Sequence, residues 1–196
     1  MKRSHVADGV TLIELLVTVA VLAILAMVAT PELRSLWFNH EVNTALNALR
    51  GDLAYARQEA VQRGTSVSLC PGNGTRCSQG ASYDEGWIIY TSTDGSAADV
   101  SFDESIAQLR LLKRVTRQGN VALRAADGNR VTFGPQGQLK AVEGRSEQSW
   151  RVCMRNAKAV DGASTSAVIG FELVLNGMGS VQQRRLAEGE ACDPSP

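Results

Sequence analysis

The sequence predicts an α+β fold in which one long N-terminal helix packs on an antiparallel β domain. First, the segment from Val10 to Thr30 is largely apolar and contains a single ionisable residue, Glu14. Second, the next segment, 32–63, repeats apolar residues at steps of three and four, the spacing of an amphipathic helix. Third, from Thr65 onward, short alternating segments are separated by Gly, Asn and Asp, as in strands joined by turns.

The composition excludes several functional classes. The chain has 196 residues, with 20 basic and 20 acidic side chains. A protein whose main task is to coat nucleic acid or an anionic surface would carry an excess of positive charge. His5 and His40 are the only histidines, and the carboxylates show no paired spacing. We therefore expect no enzyme, no catalytic residue, no cofactor and no metal site.

The first apolar segment, residues 10–31, has the length of a transmembrane helix, because about 20 helical residues span the hydrocarbon core of roughly 30 Å. Lys2 and Arg3 precede it, which predicts a single membrane span with a cytoplasmic N-terminus and a C-terminal domain on the other side of the membrane. If the chain is bacterial, that membrane is the inner membrane and that side is the periplasm. A cleaved secretory signal is disfavoured because the small residue Gly9 lies before the apolar run. An ordinary anchor does not explain Glu14, whose carboxylate is costly at this depth.

The second half of the helix, residues 32–63, is predicted to pack on the β domain, residues 64–196. Its apolar residues form one stripe along the helix, and Gly64 follows as a candidate C-cap. The stripe consists of Val42, Leu46, Leu49, Leu53, Ala56 and Ala60.

The β domain contains nine strand candidates. The turn-forming residues Asp-Gly-Asn at 127–129 predict a hairpin between the candidates at 120–124 and 130–134. The polar, acidic segment 92–105 is predicted to be a long loop. The candidates cover 65–70, 86–92, 107–114, 120–124, 130–134, 137–142, 149–155, 167–175 and 179–183.

The stretch "GVTLIE" at 9–14 resembles the type III signal of type IV pilins and type II secretion pseudopilins. The resemblance implies a leader peptide, residues 1–9, which a prepilin peptidase removes by cutting between Gly9 and Val10 before it methylates the new N-terminus at Val10. It implies that Glu14 neutralises the N-terminal amine of a neighbouring subunit during assembly, and that Pro31 kinks the helix. The family usually has Phe at the first mature position, so Val10 is a departure.

Four further segments resemble the GspH/FimT branch of this family, which contains minor pilins and minor pseudopilins. They are "ALRGDLAYARQEAVQRGTSVSLCP", "GWIIYTSTDG", "VTFGPQGQLK" and "VLNGMGSV". The resemblance implies a type IV pilin-like fold. It also implies a minor pilin of the type IV pilus that primes assembly, supports twitching motility or adhesion, and contacts the major and other minor pilins. A type II secretion minor pseudopilin shares the same leader and is the alternative.

The four cysteines are predicted to form two disulfides, because a periplasmic domain lies where disulfides persist. Cys70 and Cys77 bracket a Gly-rich loop, so a local bridge is favoured, which leaves Cys153 to pair with Cys192. This is the preferred of three possible pairings. A zinc site would need closer pairs of the C-x₂-C type.

A third hypothesis is a DNA-binding minor pilin acting in DNA uptake. Some FimT-type minor pilins have a Gly-Arg-x-Arg motif, whereas this chain has Ser180 and Gln182 at the two arginine positions after Gly179. Arg184 and Arg185 lie just beyond and are the candidate phosphate contacts. From position 151 onward five basic residues meet five acidic ones, which favours solvated charges over a binding stripe.

Overall fold

The computed structural model describes residues 10–72, 74–95, 97, 99–117, 119–127, 130–140, 147–155 and 162–193. By its internal contacts the chain divides into two units, Met1–Trp37 and Phe38–Pro196. The helix α1, Leu12–Arg63, contributes residues to both units. Each unit is described by itself.

The described part of the first unit is helical and carries an exposed apolar surface. Twelve apolar side chains between Val10 and Met27 have exposed fractions of 50% to 81%. Within the described residues no single helix meets the length and hydropathy requirements of a membrane span, while a bent pair, Leu12–Met27 with Glu32–Arg63, meets them together.

In the second unit, the six residues of the predicted stripe of α1 are all buried, with exposed fractions of 0% or 1%. The prediction that this stripe packs on the protein's own globular domain is therefore confirmed. The helix ends where Gly64 adopts a left-handed conformation, with φ of 63°. A side chain with a Cβ rarely adopts this φ, which explains why glycine ends the helix.

The described residues form eight strands in two four-stranded sheets, in which every described pairing is antiparallel. The first sheet has the order β3-β2-β1-β5 and the second has the order β4-β6-β7-β8. The α+β class predicted from the sequence is confirmed. The strands are β1 (Val67–Pro71), β2 (Gly86–Ser92), β3 (Leu109–Thr116), β4 (Val121–Ala125), β5 (Val131–Phe133), β6 (Gln148–Met154), β7 (Phe171–Leu175) and β8 (Val181–Arg185).

Both sheets contribute to one core around the buried stripe of α1. Trp87 of the first sheet and Trp150 of the second are fully buried in this core. The first sheet is covered on its other face as well, because Phe102 from the loop between β2 and β3 packs on Tyr90 with ring centroids 5.4 Å apart. This burial on both faces explains why every residue of β1 and β2 is buried.

Two predictions about the strands are wrong. The described strands on either side of 127–129 do not form the predicted hairpin, because β4 pairs with β6 in the second sheet while β5 pairs with β1 in the first. Residues 128 and 129 of that turn lie outside the described residues. The candidate at 137–142 forms only an isolated bridge between Phe133 and Leu139 in its described part.

Candidate assembly site

The first turn of α1 is capped by Thr11. Its Oγ1 accepts a hydrogen bond from the backbone N–H of Glu14 at 3.3 Å, and its carbonyl oxygen accepts one from the N–H of Leu15 at 3.2 Å. Thr-x-x-Glu is the sequence pattern of a capping box. Sequence reasoning missed Thr11 as a cap, although "TLIE" carries the pattern that would have identified it.

Glu14 lies in this first turn, where the helix dipole favours a negative charge. Its side chain is exposed, and no described residue pairs with its carboxylate. Gly9 and the rest of residues 1–9 lie outside the described part of the chain, as does the side chain of Pro31. Val10, which borders the expected cleavage site, is 72% exposed.

The apolar side chains that follow Glu14 cover all sides of the helix. Leu15, Leu16 and Val17 are consecutive in the sequence and each is more than half exposed. A helix that is apolar all round is stable only when lipid or other helices cover it. A carboxylate at the end of such a surface can bind a cation that arrives with the covering partner.

Two disulfides fix the loops of the second unit. Cys70 bonds to Cys77 and Cys153 bonds to Cys192, with 5.7 Å between the Cα atoms in each pair. These are the pairs preferred on sequence grounds. The first closes the loop after β1, and the second attaches the C-terminal segment to β6.

Arg57 of α1 joins two turns that sequence reasoning did not connect. Its Nε donates a hydrogen bond to the carbonyl oxygen of Gly137 at 2.9 Å, and its Nη2 donates one to that of Met178 at 3.1 Å. Gly179 follows with φ of 76°, and a Cβ there would clash with the Gly137 carbonyl and lie 2.9 Å from Arg57 Nε. Three of the family-like segments therefore meet at this point.

The outer face of the second sheet carries a line of paired charges. Glu172 on β7 accepts hydrogen bonds from Arg151 on β6 at 3.1 Å and from Arg184 Nε on β8 at 2.7 Å. Glu190 pairs with both arginines, at 3.0 and 3.3 Å. Arg184, one of the two candidate DNA contacts, is thus already paired with two carboxylates. Arg185 lies one residue further along and projects from the opposite face of the strand.

A second polar cluster surrounds Asp84. Its carboxylate accepts hydrogen bonds from Arg124 and Arg155, and from the backbone N–H of Leu123 at 2.7 Å. Burial by itself would raise the pKa of Asp84, but the hydrogen bonds from Arg124 and Leu123 and the charges of both arginines outweigh it and lower the pKa. This carboxylate therefore stabilises the fold in its ionised form.

Two family models match the sequence of this chain. The family model described as type II transport protein GspH matches residues 45–172, which is more than half of the chain. The chain belongs to the GspH family. A second model, the prokaryotic N-terminal methylation motif, matches residues 6–30 of this GspH-family protein. The matched region of the first model includes Arg57, Gly137 and all strands up to Phe171 and Glu172 of β7.

Two solved structures are similar to this GspH-family protein, both of the type IV minor pilin FimU from Pseudomonas aeruginosa (strain PAO1) in two space groups. Each is 21% identical to the chain, with TM-scores of 0.49 and 0.48. The matches cover 78% and 76% of this chain, and 92% and 95% of the FimU chains. No curated protein matches the sequence.

The family and the leader motif establish the general class of this GspH-family protein. It is a pilin or pseudopilin of the type IV pilus and type II secretion class, which is a structural family. Membership implies processing by a prepilin peptidase and contact with other pilins. It also implies an inner-membrane anchor that precedes entry into the filament.

Proposed function

We propose that the protein is a minor pilin of the type IV pilus that primes filament assembly and supports twitching motility or adhesion. In this proposal the chain is cut after Gly9 and methylated at Val10. Residues 10–31 then hold it in the inner membrane, with the N-terminus in the cytoplasm and the β domain in the periplasm. The subunit leaves the membrane when its helix packs among those of other pilins.

The observation that carries the proposal is the placement of Glu14. It lies within the methylation motif, in the first turn of a helix whose apolar side chains are exposed on all sides. An ion pair in a medium of low dielectric constant is favourable only when both partners are present. The cut N-terminal amine of an adjacent subunit is such a partner, and it becomes available only on assembly.

The mass of the mature N-terminal peptide tests the processing step. The full chain is produced with and without a prepilin peptidase, and the N-terminal peptide is measured by mass spectrometry. We expect loss of residues 1–9 and one added methyl group only when the peptidase is present. A Gly9→Val variant is the matched control and should keep its leader. An unchanged mass with the active peptidase would contradict the proposal.

A type II secretion pseudopilin is the second candidate, because the matching family model is described as type II transport protein GspH. The two candidates differ in the filament that contains the subunit. Deletion of the gene, followed by counting sheared surface pili and measuring secreted proteins in the medium, separates them. Loss of pili with normal secretion supports the first candidate, and the reverse result supports the second.

A further inference from the structure

Two of the four sheet edges in the second unit are covered by neighbouring backbone. Beside β4, the N–H of Tyr83 donates to the carbonyl oxygen of Leu123 at 2.9 Å. Beside β5, the N–H of Lys140 donates to the carbonyl oxygen of Thr132 at 2.8 Å. An edge covered in this way cannot pair with a strand of another protein.

The third edge, β3, is interrupted. Its register with β2 shifts between Ile89 and Tyr90, which is a bulge. Arg110, Lys113 and Arg114 are exposed along it. Bulges and charged side chains are the usual means of preventing strand addition at an edge. The remaining edge is β8, the last strand of the second sheet.

The phase of the hydrogen bonds between β7 and β8 follows from the residues that flank the two strands. The N–H of Leu186 donates to the carbonyl oxygen of Gly170 at 2.9 Å, and the N–H of Asn176 donates to that of Ser180 at 3.0 Å. Directly opposed residues of an antiparallel pair alternate between hydrogen-bonded and non-hydrogen-bonded positions. Even-numbered residues of β8 therefore bond to β7.

The odd-numbered residues Val181, Gln183 and Arg185 consequently direct their backbone N–H and C=O groups to the outer side of β8. No described residue forms a backbone hydrogen bond with these groups. The side chains of the same three residues lie on the helix-facing side of the sheet, because their cross-strand partners Leu175, Leu173 and Phe171 belong to the core around α1.

A groove of about 660 Å³ runs between this edge and α1. It is open to solvent and adjoins the first residue of β8, Val181, so an extended chain placed against the outer side of β8 would enter it there. The residues that line it from the helix are Arg50, Ala54, Arg57, Gln58, Val61 and Gln62. The turn before β8 and its first residue, 179–181, complete the lining.

The charges along the groove have one sign. Arg50 and Arg57 line it, and Arg185 projects from the same side of the sheet at the other end of β8. None of these three side chains forms an ion pair with an acidic side chain in the described part of the chain. No acidic residue lines the groove. An acidic occupant would complement this surface, whereas a basic one would be repelled.

We propose that β8 accepts an extended, acidic segment of another pilin subunit, which pairs with Val181, Gln183 and Arg185 as a fifth strand of the second sheet. The inference rests on the proposed function, since it names the partner within the filament. Main-chain hydrogen bonds supply the affinity in strand addition, and side chains at alternate positions supply the specificity. The alternate side chains of the incoming strand face Arg50 and Arg57, and carboxylates at these positions form the ion pairs.

Site-specific photocrosslinking of the full chain in its own bacterium tests this proposal. The photoreactive residue p-benzoylphenylalanine replaces Gln58 in the groove, and sheared filaments are isolated after irradiation. We expect an adduct that mass spectrometry maps to a segment of another subunit with carboxylates at alternate positions. The matched control replaces Asn47, which is exposed on the other flank of the same helix beside β3, and it should not give this adduct.

Two variants separate the backbone contribution from the charge contribution. Gln183→Pro removes one outward N–H without removing a hydrogen bond to β7, and it should lower the adduct yield at least tenfold. Arg50→Glu with Arg185→Glu leaves the backbone unchanged and should lower the yield to a similar extent. Arg110→Glu with Arg114→Glu on β3 is the charge control and should leave the yield unchanged.

Three results would overturn the proposal. The first is an adduct that forms equally well from positions 47 and 58, and the second is an adduct that maps to a helix or to a basic segment. The third is an adduct yield that neither Gln183→Pro nor Arg50→Glu with Arg185→Glu lowers. If the chain is present in sheared filaments and no adduct forms at position 58, the strand inference fails while the proposed function stands. If the unmodified chain is absent from filaments, the proposed function fails first.

Discussion

The Asp52 carboxylate of α1 accepts a hydrogen bond from the indole N–H of Trp87 on β2, with 2.8 Å between Oδ2 and Nε1. Its other oxygen lies 2.5 Å from Nζ of Lys113 on β3. Asp52 is only 4% exposed and Trp87 is fully buried. One acidic side chain therefore connects the helix to two strands of the first sheet at a position inside the core.

Replacement of Asp52 by alanine should destabilise the second unit. The Trp87 N–H would be left buried without an acceptor, which costs about 1–3 kcal/mol. Asp52→Asn keeps an amide oxygen for the indole and should cost less than Asp52→Ala. Urea unfolding followed by tryptophan fluorescence measures both free energies of unfolding. Equal values for wild type and Asp52→Ala would contradict this account.

Gly179→Ala should be more destabilising than the same change at Gly189. Both residues have left-handed φ values, 76° and 81°, so both substitutions carry a backbone cost of about 1–2 kcal/mol. Only the Cβ at 179 meets other atoms, those of Gly137 and Arg57, whereas the space around 189 is open. Thermal unfolding of the two variants gives the comparison. A larger loss for Gly189→Ala would disprove the packing argument.

Asp84 should make the fold sensitive to acid. Its pKa is lowered from the ordinary value of 3.8, so its contribution is complete at neutral pH and is lost as the pH falls below that value. Asp84→Asn should cost about 1–3 kcal/mol at neutral pH. The difference from wild type should shrink as the pH falls below 3.8 and through the lowered pKa of Asp84, because wild-type Asp84 then also becomes neutral. Urea unfolding at a series of pH values measures this, and a difference that grows in acid would refute it.

The two disulfides should contribute unequally. They close loops with sequence separations of 39 and 7 residues. The chain-entropy relation gives about 4 kcal/mol for the longer loop and about 2 kcal/mol for the shorter. The double variant Cys153→Ser with Cys192→Ser should therefore lower the melting temperature more than Cys70→Ser with Cys77→Ser. The opposite order would show that local packing, and not loop length, determines the contributions.

Glu14→Ala should prevent incorporation into filaments while leaving the amount of chain in the membrane unchanged. The neutral side chain no longer pairs with the amine of an adjacent subunit, so the assembled state loses its advantage over the membrane state. Immunoblots of sheared filaments and of membranes measure the two pools. Thr11→Ala is the matched control, since it removes the helix cap but keeps the charge. Normal incorporation of Glu14→Ala would refute the assembly role.

The parts of the fold that depend on local periodicity were predictable from the sequence. The stripe from Val42 to Ala60 follows from helical spacing, and the strand candidate at 86–92 coincides with β2. Each of these patterns can be recognised from the residues of one helix or one strand alone. The cysteine pairing was also accessible, because Cys70 and Cys77 border one short loop and only two other cysteines remain.

Features that join distant elements were not predictable. The turn signal at 127–129 does not specify that the strands before and after it, β4 and β5, belong to different sheets. Asp52 has the appearance of a solvated helix charge, since its partner Trp87 is 35 residues away. Arg57 is similar, because its acceptors lie 80 and 121 residues further along the chain. Such contacts depend on the tertiary arrangement and leave no local pattern.

The packing of both sheets on the same helix, α1, has a mechanical consequence. No described strand of one sheet pairs with a strand of the other, and both sheets bury their inner faces against the same helix. Tension applied along this helix would therefore load both halves of the domain in parallel. Extraction of the helix would open both at once, so a single-molecule pulling trace should contain one rupture event instead of two.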